Sequence, residues 1–305
     1  MTEKIGIQLG MGWFPDYPDF RDYTQERDVV SSRPRMFSQK SIKEMVSKAG
    51  VLKAPARDLP AKQDLRRWCP PIENQQSLGS CTANAGVALI EYYERRACGR
   101  HIDASRLFLY KTTRNLLHWT GDTGAFLRTT MEAMVLFGVP PEEYWPYEIA
   151  GYENEPPAFC YAFAQNYQAL QYFRLDPPNT QRDVLLKRIK TYLTAGLPAM
   201  FGFSVFSSIE QAAESEGKIP FPSEGDRQMG GHAVAAVGFD DKMKIVNSAN
   251  AKETVGALLI RNSWGTGWGD KGYGWLPYEY VLQGIAIDWW TLLKSEWIDT
   301  GNFQL

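Results

Sequence analysis

Cys81 and His232 are the two side chains in this sequence whose types and settings suit them to joint covalent chemistry. Cys81 lies in PPIENQQSLGSCTANA (residues 70–85) and opens an apolar run predicted to be a helix closed by Gly99. A thiol at a helix N-terminus sees the positive end of the macrodipole, which favours the thiolate, the nucleophilic form. A lone cysteine is more ordinarily a small buried core residue, so the cysteine alone leaves both readings open. The sequence holds three histidines, His101, His118 and His232. His101 follows Gly99-Arg100 in a charged turn and His118 lies in LLHWTGD; both read as surface or boundary residues. His232 follows two glycines and begins the run HAVAAVGF, which places its imidazole at the end of a predicted strand. The four cysteines, Cys69, Cys81, Cys98 and Cys160, include no C-x-x-C pair. Neither a zinc site nor a dense disulfide framework is therefore indicated, and most of them are expected reduced and buried.

Three segments, taken together and in order, resemble the papain family of cysteine peptidases. They are residues 70–85, residues 231–239 (GHAVAAVGF) and residues 260–274 (IRNSWGTGWGDKGYG). The separations, 232 − 81 = 151 and 262 − 232 = 30, are close to the roughly 130–150 residues expected between nucleophile and downstream partners. The resemblance implies Cys81 as nucleophile, His232 as its acid–base partner and Asn262 as the residue that orients the imidazole, the part a carboxylate plays in serine enzymes. Gln75, six residues before Cys81, is implied as the oxyanion donor that acts with the Cys81 backbone N–H. Trp264 is implied to shield the His232–Asn262 contact. Gly79, Gly124 and Phe126 join it as implied substrate-binding positions, with Gly121-Asp122-Thr123-Gly124 resembling the loop that pairs with extended substrate backbone.

The pattern also departs from the family. Leu78 stands where C-G-[SA]-C-[WY] would place a disulfide cysteine, and Thr82 replaces the bulky aromatic after the nucleophile. Gly231 precedes the histidine where plant members carry an acidic residue. Bacterial members look similar in these respects, including a tryptophan–proline–aspartate strap near the N-terminus.

These side chains need a scaffold to hold them. The helix from Cys81 to Ala97 is small or apolar over its first turns, as suits a helix buried in the molecule. Helices are also predicted over 103–117, 126–137 and 182–195, and strands over 197–205, 232–239 and 257–261. A helix-rich first part and a strand-rich second part imply an α+β protein. The resemblance makes it a papain-like two-lobed fold, with a helical lobe over about 64–170 and a β-barrel-like lobe over about 171–290 inside a catalytic domain of 64–305. Residues 1–63 read differently. WFPDYPDFRDY (13–23) is predicted to be an extended strap because of its prolines. SQKSIKEMVSKAG (38–50) is predicted to be a short helix capped by Ser38 or Ser41, with a linker around Pro55 and Pro60 after it. Trp13, Phe14, Tyr17 and Phe20 are expected to dock on the body, either in the cleft as a plug or behind it as a brace.

Composition closes off other classes. The chain has 305 residues, 44% hydrophobic and 13% aromatic, enough for a sizeable core. Its net charge is −2 with no basic cluster, so no nucleic-acid partner is expected. No run reaches 18 uninterrupted apolar residues and the N-terminus lacks a signal pattern. No membrane span is expected, and the protein is predicted to be cytoplasmic or exported without a conventional signal peptide. No cofactor or metal is expected, and the implied partner is a peptide or protein substrate. The function that the resemblance implies is that of a cysteine-type endopeptidase. The alternatives are a catalytically silent peptide-binding domain, or an acyltransferase or peptide ligase using the same acyl-enzyme.

Overall fold

The computed structural model describes residues 10–27, 40–51, 59–167 and 171–303. The predicted linker position Pro55 and the candidate cap Ser38 lie outside these residues. The helices that concern the site are α1 (Ile42–Lys48), α2 (Cys81–Cys98), α3 (Arg106–Leu117), α4 (Leu127–Leu136), α5 (Ala158–Ala164) and α6 (Arg182–Thr194). The strands are β1 (Trp13–Phe14), β2 (Lys62–Asp64), β3 (Ala125–Phe126), β4 (Gln171–Arg174), β5 (Ala199–Phe206), β6 (Gln228–Val246), β7 (Glu253–Arg261), β8 (Tyr273–Pro277) and β9 (Ala286–Leu293).

Seven strands form one antiparallel sheet in the order β4-β9-β5-β6-β7-β8, with β2 pairing β6 off that path. Among the described residues this sheet is open, so the lobe is mixed sheet and helix and not a closed barrel. The helical lobe packs against it through α2, whose buried face includes Cys81, Ala83, Ala85, Val87, Leu89, Ile90, Tyr92 and Tyr93. Small side chains in the first turns let α2 lie close to β6, the strand that carries His232. Gly99 ends the helix at φ +67°, a left-handed cap that glycine adopts without a Cβ penalty.

The N-terminal region is packed onto both lobes. Ser41 caps α1 with a reciprocal capping box to Glu44, and Ile42, Met45 and Val46 are buried in the main core. The strap pairs β1 with β3 in parallel, Trp13 opposite Ala125 and Phe14 opposite Phe126. The expectation that all four strap aromatics bury is corrected here. Trp13 is 5% exposed, whereas Phe14 is 43%, Tyr17 76% and Phe20 73% exposed. Extended backbone turns successive side chains to opposite faces, and beyond Phe14 the strap is held by charge. Arg128 pairs with Asp16 and with Asp22 (2.8 Å), and the fully buried Arg174 lies 3.6 Å from Asp22.

Candidate active site

Cys81 is the first residue of α2, and His232 lies on β6 beside Ala233, whose backbone N–H reaches the Cys81 thiol. His232 Nε2 lies 2.8 Å from Asn262 Oδ1, at the end of β7. The same Oδ1 accepts the Ser263 backbone N–H at 2.8 Å. A backbone N–H can only donate, so this contact fixes the amide with its oxygen toward the imidazole. His232 must therefore donate from Nε2, and a neutral ring then carries its lone pair on Nδ1. Nδ1 is buried and has no hydrogen-bond partner, which leaves it free to take a proton. Trp264 stacks on the imidazole at 4.4 Å between centroids and 20° between planes, and Trp268 packs edge-on against Trp264 at 5.4 Å. The two indoles keep water from the His232–Asn262 contact, which strengthens it.

Gln75 lies on the other wall. Its Oε1 accepts the Ser263 hydroxyl at 2.6 Å and its Nε2 donates to Leu78 O at 2.9 Å. Together the two contacts fix which end of the Gln75 amide is the oxygen and which the NH₂. Ser263, which sequence reasoning missed, thus holds the two walls at once; its carbonyl also accepts the Gln75 backbone N–H at 2.8 Å. The only sequence signal for it was its place inside the asparagine segment. Asp122 and Tyr110 were missed as well. Asp122 accepts the Gly79 N–H at 2.9 Å and the Tyr110 hydroxyl at 2.6 Å, and Tyr110 in turn accepts the Gly124 N–H at 2.9 Å. This chain sets the two glycine loops at their spacing. Phe126 packs against Phe14 and Trp119 on the same rim.

The strap runs through this cleft. Gly10 N–H donates to Gln76 O at 3.2 Å, Ala125 N–H donates to Gly12 O at 2.7 Å, and Trp264 Nε1 donates to Gly10 O at 3.1 Å. A Cβ on Gly12 would overlap Gly79 O, and one on Gly124 would overlap Gly12 O, so glycine on each side permits backbone to lie on backbone. Cys81 and His232 are both 0% exposed beneath it. Burial pushes the Cys81 thiol up to about 11, against backbone N–H groups of Ala233, Gly12 and Thr82 that favour the thiolate. Burial also lowers His232 to about 4, opposed by its bond to Asn262. Burial in this covered state thus works against the thiolate that the helix terminus alone would favour. The other three cysteines are free thiols, with Cys69 and Cys160 buried and Cys98 exposed. Among the described residues no group of three or more His, Cys, Asp or Glu is placed to hold a metal.

The sequence profile of the family described as papain family cysteine protease matches residues 59–287. The chain belongs to the papain family of cysteine proteases. A solved structure of xylellain, a cysteine protease from Xylella fastidiosa, is 31% identical, covers 93% of this chain and 96% of its own, and superposes at a TM-score of 0.70. An uncharacterized peptidase C1-like protein of Acanthamoeba polyphaga mimivirus is 34% identical over 72% of this chain and 68% of its own length. Peptidase 1 of Psoroptes ovis is 26% identical over 75% of this chain and 64% of its own length. The chain thus spans about two thirds of the length of these two relatives. As a member of this family it is a cysteine-peptidase hydrolase, and its substrates are peptides or proteins.

Proposed function

We propose that the chain is an endopeptidase working through Cys81, His232, Asn262 and Gln75, and that its own strap keeps it latent. The observation that carries the catalytic reading is the fixed tautomer of His232, Nε2–H to Asn262 with a buried, unpartnered Nδ1, on the strand whose next residue, Ala233, reaches the Cys81 thiol through its backbone N–H. Once the strap leaves, Nδ1 takes the Cys81 proton and a thiolate–imidazolium pair forms. The sulfur attacks the scissile carbonyl carbon, and the Cys81 backbone N–H and Gln75 Nε2–H receive the oxyanion. The C–N bond breaks as Nδ1–H protonates the leaving amine. Water then adds to the thioester as Nδ1 takes its proton, the acid product leaves, and that proton returns to sulfur. The Nε2–H bond to Asn262 holds the ring plane through every step.

Gln75→Ala tests the oxyanion assignment. The expected loss is about 10²–10³ in kcat with a smaller change in KM. A loss under about threefold would move the donor elsewhere, with Gln76 next in line.

The catalytic reading as a whole is tested by alkylation of full-length Trp13→Ala, in which the strap has lost its buried anchor. Iodoacetamide at about pH 5 should modify Cys81 ahead of Cys69, Cys98 and Cys160, because only an imidazolium-paired thiol is ionised there. Burial raises the Cys69 and Cys160 thiols, and desolvation with neighbouring Glu94 raises Cys98. Equal labelling of all four, or labelling of Cys98 alone, would leave a silent binding domain.

A further inference from the structure

We infer that Asn84 is a positioning residue of this site: through one internal water it holds the Asn262 amide and links it to the loop that carries Gln75. This inference rests on the peptidase reading above and adds a residue to its machinery.

Asn84 lies in the first turn of α2, buried among Ala83, Ala85 and Gly86. Asparagine is a poor helix former, and a buried amide left without partners is costly. One end of its amide is satisfied. Nδ2 donates to the Ser80 backbone carbonyl at 3.0 Å and to Ser80 Oγ at 3.1 Å. A carbonyl can only accept, so this contact settles which end of the amide is the nitrogen. The other end, Oδ1, is buried with no hydrogen-bond partner among the described residues. Asn262 shows the converse. Its Oδ1 takes both the His232 Nε2–H and the Ser263 N–H, and its buried Nδ2 has no partner among the described residues.

The orphaned acceptor and the orphaned donor belong to residues that line one cavity of about 10 Å³. Ala85 and Ala88 of α2 and Ala233 of β6 leave this space, because their side chains end at Cβ. It is room for one water and no more. A water there accepts from Asn262 Nδ2 and donates to Asn84 Oδ1. Glu73 lines the same cavity and offers an acceptor for the second hydrogen. Three bonds are the usual complement of an internal water.

With that water in place the donors all run in one direction. His232 donates to Asn262, Asn262 through the water to Asn84, and Asn84 to Ser80 Oγ. Ser80 Oγ lies 2.6 Å from the Tyr147 hydroxyl, which donates to Gln75 O at 3.0 Å. A phenol has one hydrogen, so Ser80 is the donor to Tyr147. Hydrogen bonds aligned head to tail polarise one another. Donation from Nδ2 makes Asn262 Oδ1 a stronger acceptor, and Oδ1 is the end that holds the imidazole. Asn84 thereby acts on the acid–base residue without touching it.

The test uses the full chain carrying Trp13→Ala and reads the alkaline edge of its kcat/KM profile, where the imidazolium is lost. The rings packed on His232 are those of Phe203 and Trp264, neither of them charged. Besides burial and its proposed proton partner Cys81, the His232 ring answers to Asn262. Asn84→Leu should lower the edge by about 0.5–1 pH unit and kcat by about 3–10-fold, with KM within about twofold, the worth of one buried hydrogen bond. Asn84→Asp keeps an oxygen for the water, so its edge should lie at the parent's value or above it. A merely structural role, confined to Ser80, would lower stability or kcat and leave the edge in place. An unchanged edge in folded Asn84→Leu, or an edge in Asn84→Asp that falls with it, overturns the inference. Should Asn84→Leu not fold, Ala88→Val fills the cavity while the Ser80 bonds are kept; a lowered edge then supports the water and an unchanged one overturns it. A crystal structure of the full chain checks the water directly. It should lie about 2.7–3.2 Å from both Asn262 Nδ2 and Asn84 Oδ1. A dry cavity, or another partner on either atom, overturns the bridge. If no peptide is cleaved, the catalytic reading fails, and the crystallographic criterion alone decides the bridge.

Discussion

Cys81→Ala in the full chain carrying Trp13→Ala should lower peptide hydrolysis by a factor on the order of 10⁶, and His232→Ala should cost nearly as much. The two losses should not add, because the sulfur is a nucleophile only after its proton has moved to Nδ1, and the ring has nothing to accept without the sulfur. The fold should survive Cys81→Ala, since a buried sulfur is exchanged for a methyl group in a helix turn already made of small residues. Initial rates on a peptide and a melting curve of each variant are sufficient measurements. Turnover of Cys81→Ala within tenfold of its parent, with the fold intact, would end the assignment of Cys81.

The second large effect concerns latency. Trp13→Ala removes a buried indole, a change that typically costs about 3–5 kcal/mol in a core. Where strap release dominates the effect, the balance between covered and open states shifts by about 10²–10⁴, and kcat/KM should rise accordingly until the cleft is fully open. The pH profile of alkylation separates the two states. In the covered state a thiol near 11 is ionised to about one part in 10⁴ at pH 7, and its rate should climb tenfold per pH unit. In the open state an imidazolium-paired thiolate should react at a nearly flat rate from about pH 5 to 8. The gain from ionisation is partly offset because a low-pKa thiolate is intrinsically less nucleophilic, so access to the sulfur supplies much of the difference. A lowered melting temperature with unchanged activity and an unchanged profile would make the strap a brace only. Deleting residues 1–63 outright would confuse the two, because α1 contributes Ile42, Met45 and Val46 to the main core.

The capped pair has its own pH window. His232 is depressed below its ordinary 6.5, so its contribution is complete above that value and is lost as pH falls toward 4. Cys81 is raised above its ordinary 9.0, so its contribution is complete below that value and is lost as pH rises toward 11. Relative to the unfolded chain, the covered fold is therefore most stable between the two ordinary values.

Much of the scaffold was legible because local rules and tertiary packing agree in it. The capping box at Ser41, the left-handed Gly99 cap and the small-residue turns of α2 act over short ranges, and each marks an element in the sequence. β6 was harder. The run HAVAAVGF is only its middle, and the strand extends from Gln228 to Val246 because irregularities between Ala236 and Gly238 and between Asp240 and Lys244 carry pairing through a polar stretch. Cys81, His232, Asn262 and Gln75 were singled out in the sequence through a family resemblance carried by three motifs in order, and their roles are the ones proposed above. Ser263 and Tyr110 were not singled out, because each acts through partners distant in the chain, such as Ser263 on Gln75. The burial of the Cys81 thiol was also invisible, since it involves strap backbone around Gly12, far from Cys81 in the chain.

Residues 70–75 are stitched to residues 261–265 at the floor of the cleft. Arg261 Nη1 donates to Pro70 O at 2.8 Å, Gly265 N–H donates to Glu73 O at 3.0 Å, and Gln75 and Ser263 bond through main chain and side chain. The floor is thus a seam that joins the lobes into one mechanical block. A hinge has no room to work there, and parting the lobes would tear the donor of the oxyanion away from the residue that steers the imidazole. On the proposed latent reading, the groove then opens by the strap lifting off and not by the lobes parting along this seam.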